Sequence, residues 1–379
     1  MVTDMKKLLS VFFALILLLT TVSCSDPSDG HGTPSEKARQ EAERREYLSS
    51  VTYRNFVLTG EETPFYIGRW FDKEIGGAVH KVTLTDGAYC CFLIENATSF
   101  AVDFTVITTG ETPYFAYSVD GGAPVRQRIT DPTVTLPDTG RHTVRIIADG
   151  MTEGEGKWEK EKGFALRSVT PSQGGRLFGI RPTEKTVFFY GDSITEGIRA
   201  LNMSATSNGN SATNSYAWHC AEQLGAVPYL IGYGATGILS KGSFHTMLHA
   251  IDHLSAGRPL PDGVKPDLIV VNHGTNDGRY GAEVFQDALT ETLARLREKY
   301  PEAPIVYLIP FNGAHAETIA SVVAEMENAE VIPTEGWALT YTDGLHPDAA
   351  GAEKAGALLA EALTDRFGDG FFREPSVEK

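Results

Sequence analysis

Two segments of the sequence hold side chains that together could cut an acyl bond. Gly191-Asp192-Ser193-Ile194-Thr195 directly follows an apolar run, Thr186 to Tyr190, so Ser193 falls at a strand-to-helix turn where a hydroxyl can meet a carbonyl carbon. Far along the chain, Asp343-Gly344-Leu345-His346-Pro347 supplies a base. His346 could take the Ser193 proton and return it to a leaving group, while Asp343, three residues earlier, holds the imidazole in the right tautomer. The spacing around Ser193 is not the Gly-x-Ser-x-Gly elbow of the α/β-hydrolases, which disfavours that fold. Each segment has a plainer reading by itself: Ser193 as a helix N-cap, and Asp343 as a cap before a helix that begins near Asp348.

Acyl transfer to a serine also needs donors for the oxyanion. Gly237, in Gly234-Ala235-Thr236-Gly237, follows a second apolar run and offers a backbone N–H; Asn276, in Gly274-Thr275-Asn276-Asp277, follows a third and offers a side-chain amide. With the Ser193 N–H they would make a three-donor hole. Singly, Gly237 reads as a turn glycine and Asn276 as a capping residue. Four motifs behind successive elements of one sheet are a poor match to chance.

The elements that must position these residues follow from periodicity. Thr186 to Tyr190, Val227 to Ile231, Asp267 to Asn272 and Ile305 to Ile309 read as buried strands. Between and after them lie amphipathic helices, Ala282 to Lys299 with Val284, Ala288, Leu289, Leu293 and Leu296 near one face, and Asp348 to Phe367. That alternation predicts a parallel α/β sheet covered on both sides, with chemistry beyond the C-terminal strand ends. Residues 51–170 are different: short runs rich in Val, Thr, Ile and Tyr, such as Val102 to Thr108, Tyr114 to Val119, Thr133 to Leu136 and Arg141 to Ala148, separated by turn formers. They predict a β-sandwich or jelly roll. Two domains also suit a chain of 379 residues.

Gly191-Asp192-Ser193, Gly237, Gly274-Thr275-Asn276-Asp277 and Asp343-Gly344-Leu345-His346, in that order, resemble the blocks of the SGNH (GDSL-type) hydrolases. The resemblance spans roughly residues 183–367 and implies a flavodoxin-like three-layer α/β domain (183–370), a Ser-His-Asp triad and the oxyanion roles above. A β-sandwich ahead of such a domain, with Ile67-Gly68-Arg69 and Tyr117-Ser118-Val119-Asp120-Gly121, further resembles carbohydrate esterase family 2. That likeness implies removal of acetyl groups from acetylated sugars and polysaccharides, with no cofactor. A lipid-directed acyl hydrolase and a glycan-binding lipoprotein without turnover are the competing readings. Trp337 could stack on a sugar ring or belong to the core, and Asp192 is a second candidate for substrate contact. The polar stretch Arg199 to Asn214 either overhangs the site or is a surface excursion.

The formal charge of −16 argues against nucleic acid as a partner. Lys6 and Lys7, the apolar run Leu8 to Leu19 and the stretch Thr21-Val22-Ser23-Cys24 read as a signal peptide (1–24) ending in a lipobox, with Cys24 lipidated. The run is shorter than the ~20 residues of a membrane-spanning helix. Residues 25–50 would then tether an exported protein in the cell envelope, its only membrane contact being that anchor. Cys90, Cys91 and Cys220 read as small core residues without a disulfide framework. Gly232-Tyr233-Gly234-Ala235-Thr236-Gly237 satisfies G-x-G-x-x-G, but it follows the second strand instead of opening a βαβ unit at the first, and no acid is evident at the end of a following strand ~20 residues on, so a dinucleotide is not expected. His245, His249 and His253 would line one helix face; without a H-E-x-x-H glutamate they read as a solvated histidine face, and no metal is expected.

Overall fold

The computed structural model describes residues 56–376. The expected signal segment, Cys24 and the tether lie outside the described residues.

Two antiparallel sheets form the first half. One runs in the order Phe56–Leu58, Arg176–Pro182, Tyr89–Glu95, His142–Gly150, Tyr114–Val119, Val125–Arg128, with Phe65–Ile67 also pairing to Tyr89–Glu95. The other runs Trp70–Ile75, Ala78–Thr83, Phe164–Pro171, Ser99–Val106, Thr133–Thr135. Alternation explains their packing: along Ser99–Val106 the side chains of Phe100 and Val102 turn inward while Ala101 and Asp103 face out. Phe100 meets Phe92 of the opposite sheet edge-to-face at 5.4 Å, and Phe115, Val134, Ile146 and Phe164 fill the space between the sheets. The β region thus includes Arg176–Pro182, a strand whose Gly179 and Pro182 obscure its pattern in the sequence.

Tyr89–Glu95 is buried along its whole length because both of its faces are covered. One packs into the sandwich; on the other, Tyr89 meets Trp218 of the helix Tyr216–Leu224 edge-to-face at 6.0 Å. Cys90, Cys91 and Cys220 are free and buried, as expected of small core residues.

The second half is a five-stranded parallel sheet in the order Val227–Gly232, Thr186–Gly191, Leu268–Asn272, Ile305–Leu308, Ala329–Ile332. The first strand of the chain order, Thr186–Gly191, lies between the second and third, so the direction of winding reverses at its C-terminal end and opens a crevice there. The fifth strand escapes periodicity because it is short and half-exposed, with Glu330 on the sheet edge. Helix Ala282–Lys299 has the expected bounds, but its buried face is Phe285, Leu289, Thr292, Leu293 and Leu296, with Val284 exposed. The last long helix begins at Ala349, where Asp348 accepts from the Gly351 N–H at 2.8 Å as its N-cap.

Candidate active site

Ser193 opens a single helical turn, Ser193–Glu196, at the crevice. Asp192 caps it, its Oδ1 accepting from Ile194 N–H at 2.9 Å. Gly191 must be glycine, since a Cβ there would fall 2.0 Å from Thr195 Oγ1 and 3.2 Å from the Asn272 carbonyl. As first residue of its helix, Ser193 has no intrahelical acceptor for its N–H.

The segment before Ala349–Phe367 returns His346 to this point. His346 Nε2 lies 2.9 Å from Ser193 Oγ, and His346 Nδ1 lies 2.9 Å from Asp343 Oδ2. The carboxylate accepts at Nδ1, so Nε2 is the free lone pair facing the hydroxyl. The other oxygen, Asp343 Oδ1, accepts from the N–H groups of Leu345 at 3.0 Å and His346 at 2.8 Å, which fixes the acid relative to its own turn. Arg199 was not singled out by its type or spacing, yet its Nη1 donates to Asp343 Oδ2 at 2.7 Å. Burial raises the Asp343 carboxyl, but the His346 and Leu345 bonds and the Arg199 guanidinium outweigh it and hold the group well below the usual carboxylate range.

The oxyanion side differs from expectation. Gly237 N–H is committed to the Ser240 carbonyl at 2.9 Å, and a Cβ on Gly237 would fall 2.4 to 2.7 Å from the Asp277 carboxyl atoms. Glycine is needed there so that Asp277 can accept from the N–H groups of Ile238, Leu239 and Ser240 at 2.8, 3.0 and 2.9 Å. Asn276 does reach the site, but its Nδ2 donates to the Thr236 carbonyl at 3.0 Å and to Asp192 Oδ2 at 3.3 Å. Of the three expected donors, the Ser193 N–H alone has no acceptor among the described residues. Asp192 is fully buried, so it braces the turn instead of contacting substrate. Burial pushes its carboxyl up to about 7 against the pull of the Ile194 N–H. Trp337 is half-buried and, with Phe311 and Tyr341, lines a cavity of about 510 Å³.

The β-sandwich supports this site from below and beside. The 199–214 stretch is not a free excursion: Ser207, Asn210 and Ser211 are fully buried. Ser211 Oγ and Thr213 Oγ1 donate to Asp149 at 2.9 and 2.6 Å, and Arg126 Nε binds the same carboxylate at 2.8 Å. Beneath the nucleophile turn, Lys157 Nζ pairs with Glu196, both side chains fully buried. His245, His249 and His253 are not a solvated face; their rings surround Trp158 at 5.4, 5.5 and 5.7 Å. Among the described residues no group of three or more His, Cys, Asp or Glu is arranged to hold a metal ion, and no helix is long and apolar enough to cross a membrane.

Residues 189–354 match the GDSL-like lipase/acylhydrolase family. No curated protein matches the sequence. Among solved structures, a family two carbohydrate esterase from Clostridium thermocellum, in complex with cellohexaose, superimposes with a TM-score of 0.66 at 18% identity, covering 81% of this chain and 99% of that one. An acetyl xylan esterase from the rumen bacterium Butyrivibrio proteoclasticus gives a TM-score of 0.65 at 16% identity, covering 85% and 98%. A salicylyl-acyltransferase from a tetracycline biosynthetic pathway gives 0.57 at 18% identity, covering 82% and 98%. These likenesses establish a shared architecture of sandwich followed by parallel sheet; one architecture carries more than one acyl chemistry.

Proposed function

We propose that the chain, whose residues 189–354 carry a GDSL-like lipase/acylhydrolase domain, is a serine esterase that removes O-acetyl groups from polysaccharides or oligosaccharides. The observation that carries the reading is the continuous relay from Ser193 Oγ to His346 Nε2 and from His346 Nδ1 to Asp343, each link 2.9 Å. His346 accepts the hydroxyl proton as Ser193 attacks the acetyl carbon, and the imidazolium is held by Asp343. The developing oxyanion meets the Ser193 N–H; Asn276 joins when its amide turns from the Thr236 carbonyl, and Gly237 when it releases Ser240. His346 then protonates the leaving sugar oxygen, activates water against the acetyl-Ser193 ester, and acetate departs.

The carbohydrate part of the reading is supported by the polar 199–214 stretch, whose Arg199 reaches Asp343, and by the likeness in fold to family two carbohydrate esterases; Trp337, on the segment that delivers His346, packs against Phe311 and the sheet core. A lipid-directed hydrolase would want a long apolar pocket instead. Export and anchoring through lipidated Cys24 belong to the same proposal and rest on the sequence signal.

The test is acetate release from acetylated xylan, acetylated glucomannan and a long-chain ester by the protein and its Ser193→Ala variant. Serine-dependent release from a glycan is the expected result, with Ser193→Ala losing about 10⁴-fold or more and keeping its fold. Asp343→Asn should lose less. Preference for the long-chain ester would move the assignment to lipids, and equal activity in Ser193→Ala would end the mechanism.

A further inference from the structure

The β-sandwich does more than brace the crevice. The segment between strand His142–Gly150 and the helical turn Lys157–Lys160 runs along its rim, pinned by Glu153 N–H to the Ala205 carbonyl at 2.9 Å and by Asn210 Nδ2 to the Met151 carbonyl at 2.7 Å. From it the Glu153 side chain lies flat on Gly234, the turn residue just past strand Val227–Gly232. A Cβ on Gly234 would stand 2.7 Å from Glu153 Cγ and 2.9 Å from its Oε1, so glycine there makes room for this carboxylate.

Neighbouring carboxylates are satisfied by the fold. Asp149 accepts from Arg126, Ser211 and Thr213, and Glu155 from Thr109 and Gly110. Glu153, half-buried, makes no side-chain hydrogen bond or ion pair among the described residues. Burial and Glu196 raise its carboxyl, while His346, Arg199 and Lys157 pull it down. Gly232, two residues before Gly234, packs against the Asp192–Glu196 turn, where a Cβ would stand 3.1 Å from the Asp192 carbonyl and 2.6 Å from the Glu196 nitrogen, so Glu153 lies over the loop that leaves this turn. A partly desolvated acceptor with no donor of its own is an unfilled half of a hydrogen-bonding site.

We propose that Glu153 accepts hydrogen bonds from vicinal hydroxyls of a neutral saccharide and so selects the alcohol portion that Ser193 deacylates. Two carboxylate oxygens match two adjacent hydroxyls, and the fixed negative charge opposes uronate or other anionic esters. The inference rests on the carbohydrate reading above.

The experiment compares kcat/KM on an acetylated neutral oligosaccharide with that on 4-nitrophenyl acetate, which has no vicinal hydroxyls, for the full protein, Glu153→Gln and Glu153→Ala. Thermal unfolding of each variant checks that the fold is kept. The ratio of the two values should fall at least tenfold in Glu153→Ala, through KM for the oligosaccharide, and less in Glu153→Gln, which keeps one acceptor. A ratio unchanged in both variants, or equal losses on the two esters, overturns the inference alone. An unmodified protein that hydrolyses 4-nitrophenyl acetate through Ser193 but no acetylated saccharide overturns the carbohydrate reading and this inference with it.

Discussion

Arg199 donates through Nη1 to Asp343 Oδ2 at 2.7 Å, the same oxygen that receives His346 Nδ1 at 2.9 Å. The Asp343 carboxylate is therefore shared between the His346 ring and a cation from the 199–214 stretch. Arg199 is held there by its own backbone, with its N–H on Asn210 Oδ1 at 2.9 Å and its carbonyl accepting from Thr342 Oγ1 at 2.8 Å.

Removing that cation should let Asp343 titrate at a higher pH. A carboxyl depressed in the folded state stabilises the protein above its ordinary range, and that contribution is lost as pH falls through the depressed value. In Arg199→Met one of the bonds favouring the charged form is gone, so Asp343 should contribute less stability above the ordinary carboxyl range, that contribution should be exhausted at a higher pH on acidification, and activity should be lost at a higher pH as His346 loses its charged partner. Carboxyl ¹³C titration of Asp343 in the two proteins measures the shift directly; coincident curves would mean that the ion pair carries nothing.

The most legible parts of the site were those whose chemistry is local. Ser193 sits in a turn set by the strand before it, and Asp343 and His346 share one short segment, so type and spacing in the sequence were enough to bring them into view. The oxyanion donors were legible only as candidates, because whether Gly237 N–H is free depends on Asp277 filling the space beside it, a contact across 40 residues. Arg199 and Glu153 left no local signal: each matters through a partner more than 80 residues away in the chain, Asp343 for one and Gly234 for the other. The fold shows the same division. Buried strands with continuous apolar runs were read closely, while Ala329–Ile332 and Arg176–Pro182, polar or interrupted by Gly and Pro, take their identity from pairing.

The buried pair beneath the nucleophile turn gives a stability prediction. Lys157 and Glu196 have no side-chain exposure, and Asp86 lies in the same field; burial lowers the Lys157 ammonium, but Glu196 and Asp86 outweigh it and hold the group above its usual value. Taking away the cation strands carboxylate charge in a dry site. Lys157→Met should cost about 3 to 5 kcal/mol in urea unfolding, and the double variant Lys157→Met/Glu196→Gln should regain most of it. A single variant within about 1 kcal/mol of the parent would show that the pair is solvated in solution.

Asp192 carries the opposite pH sign from Asp343. Its carboxyl is raised by burial from 3.8 to about 7, so folding favours the protonated acid. Below the ordinary carboxyl range both folded and unfolded chains hold the proton, and the contribution to stability is complete. As pH rises the unfolded chain gives up its proton first, and the contribution drains away until the folded group ionises near 7. Asp192→Asn has no proton to lose, and its carbonyl can still cap Ile194. The stability of the parent relative to Asp192→Asn should therefore fall by a few kcal/mol between about pH 4 and pH 7 and be flat above, as read from urea unfolding at fixed ionic strength. A difference independent of pH would show that Asp192 is ionised throughout, with Asn276 Nδ2 and the Ile194 N–H together sustaining its charge against burial.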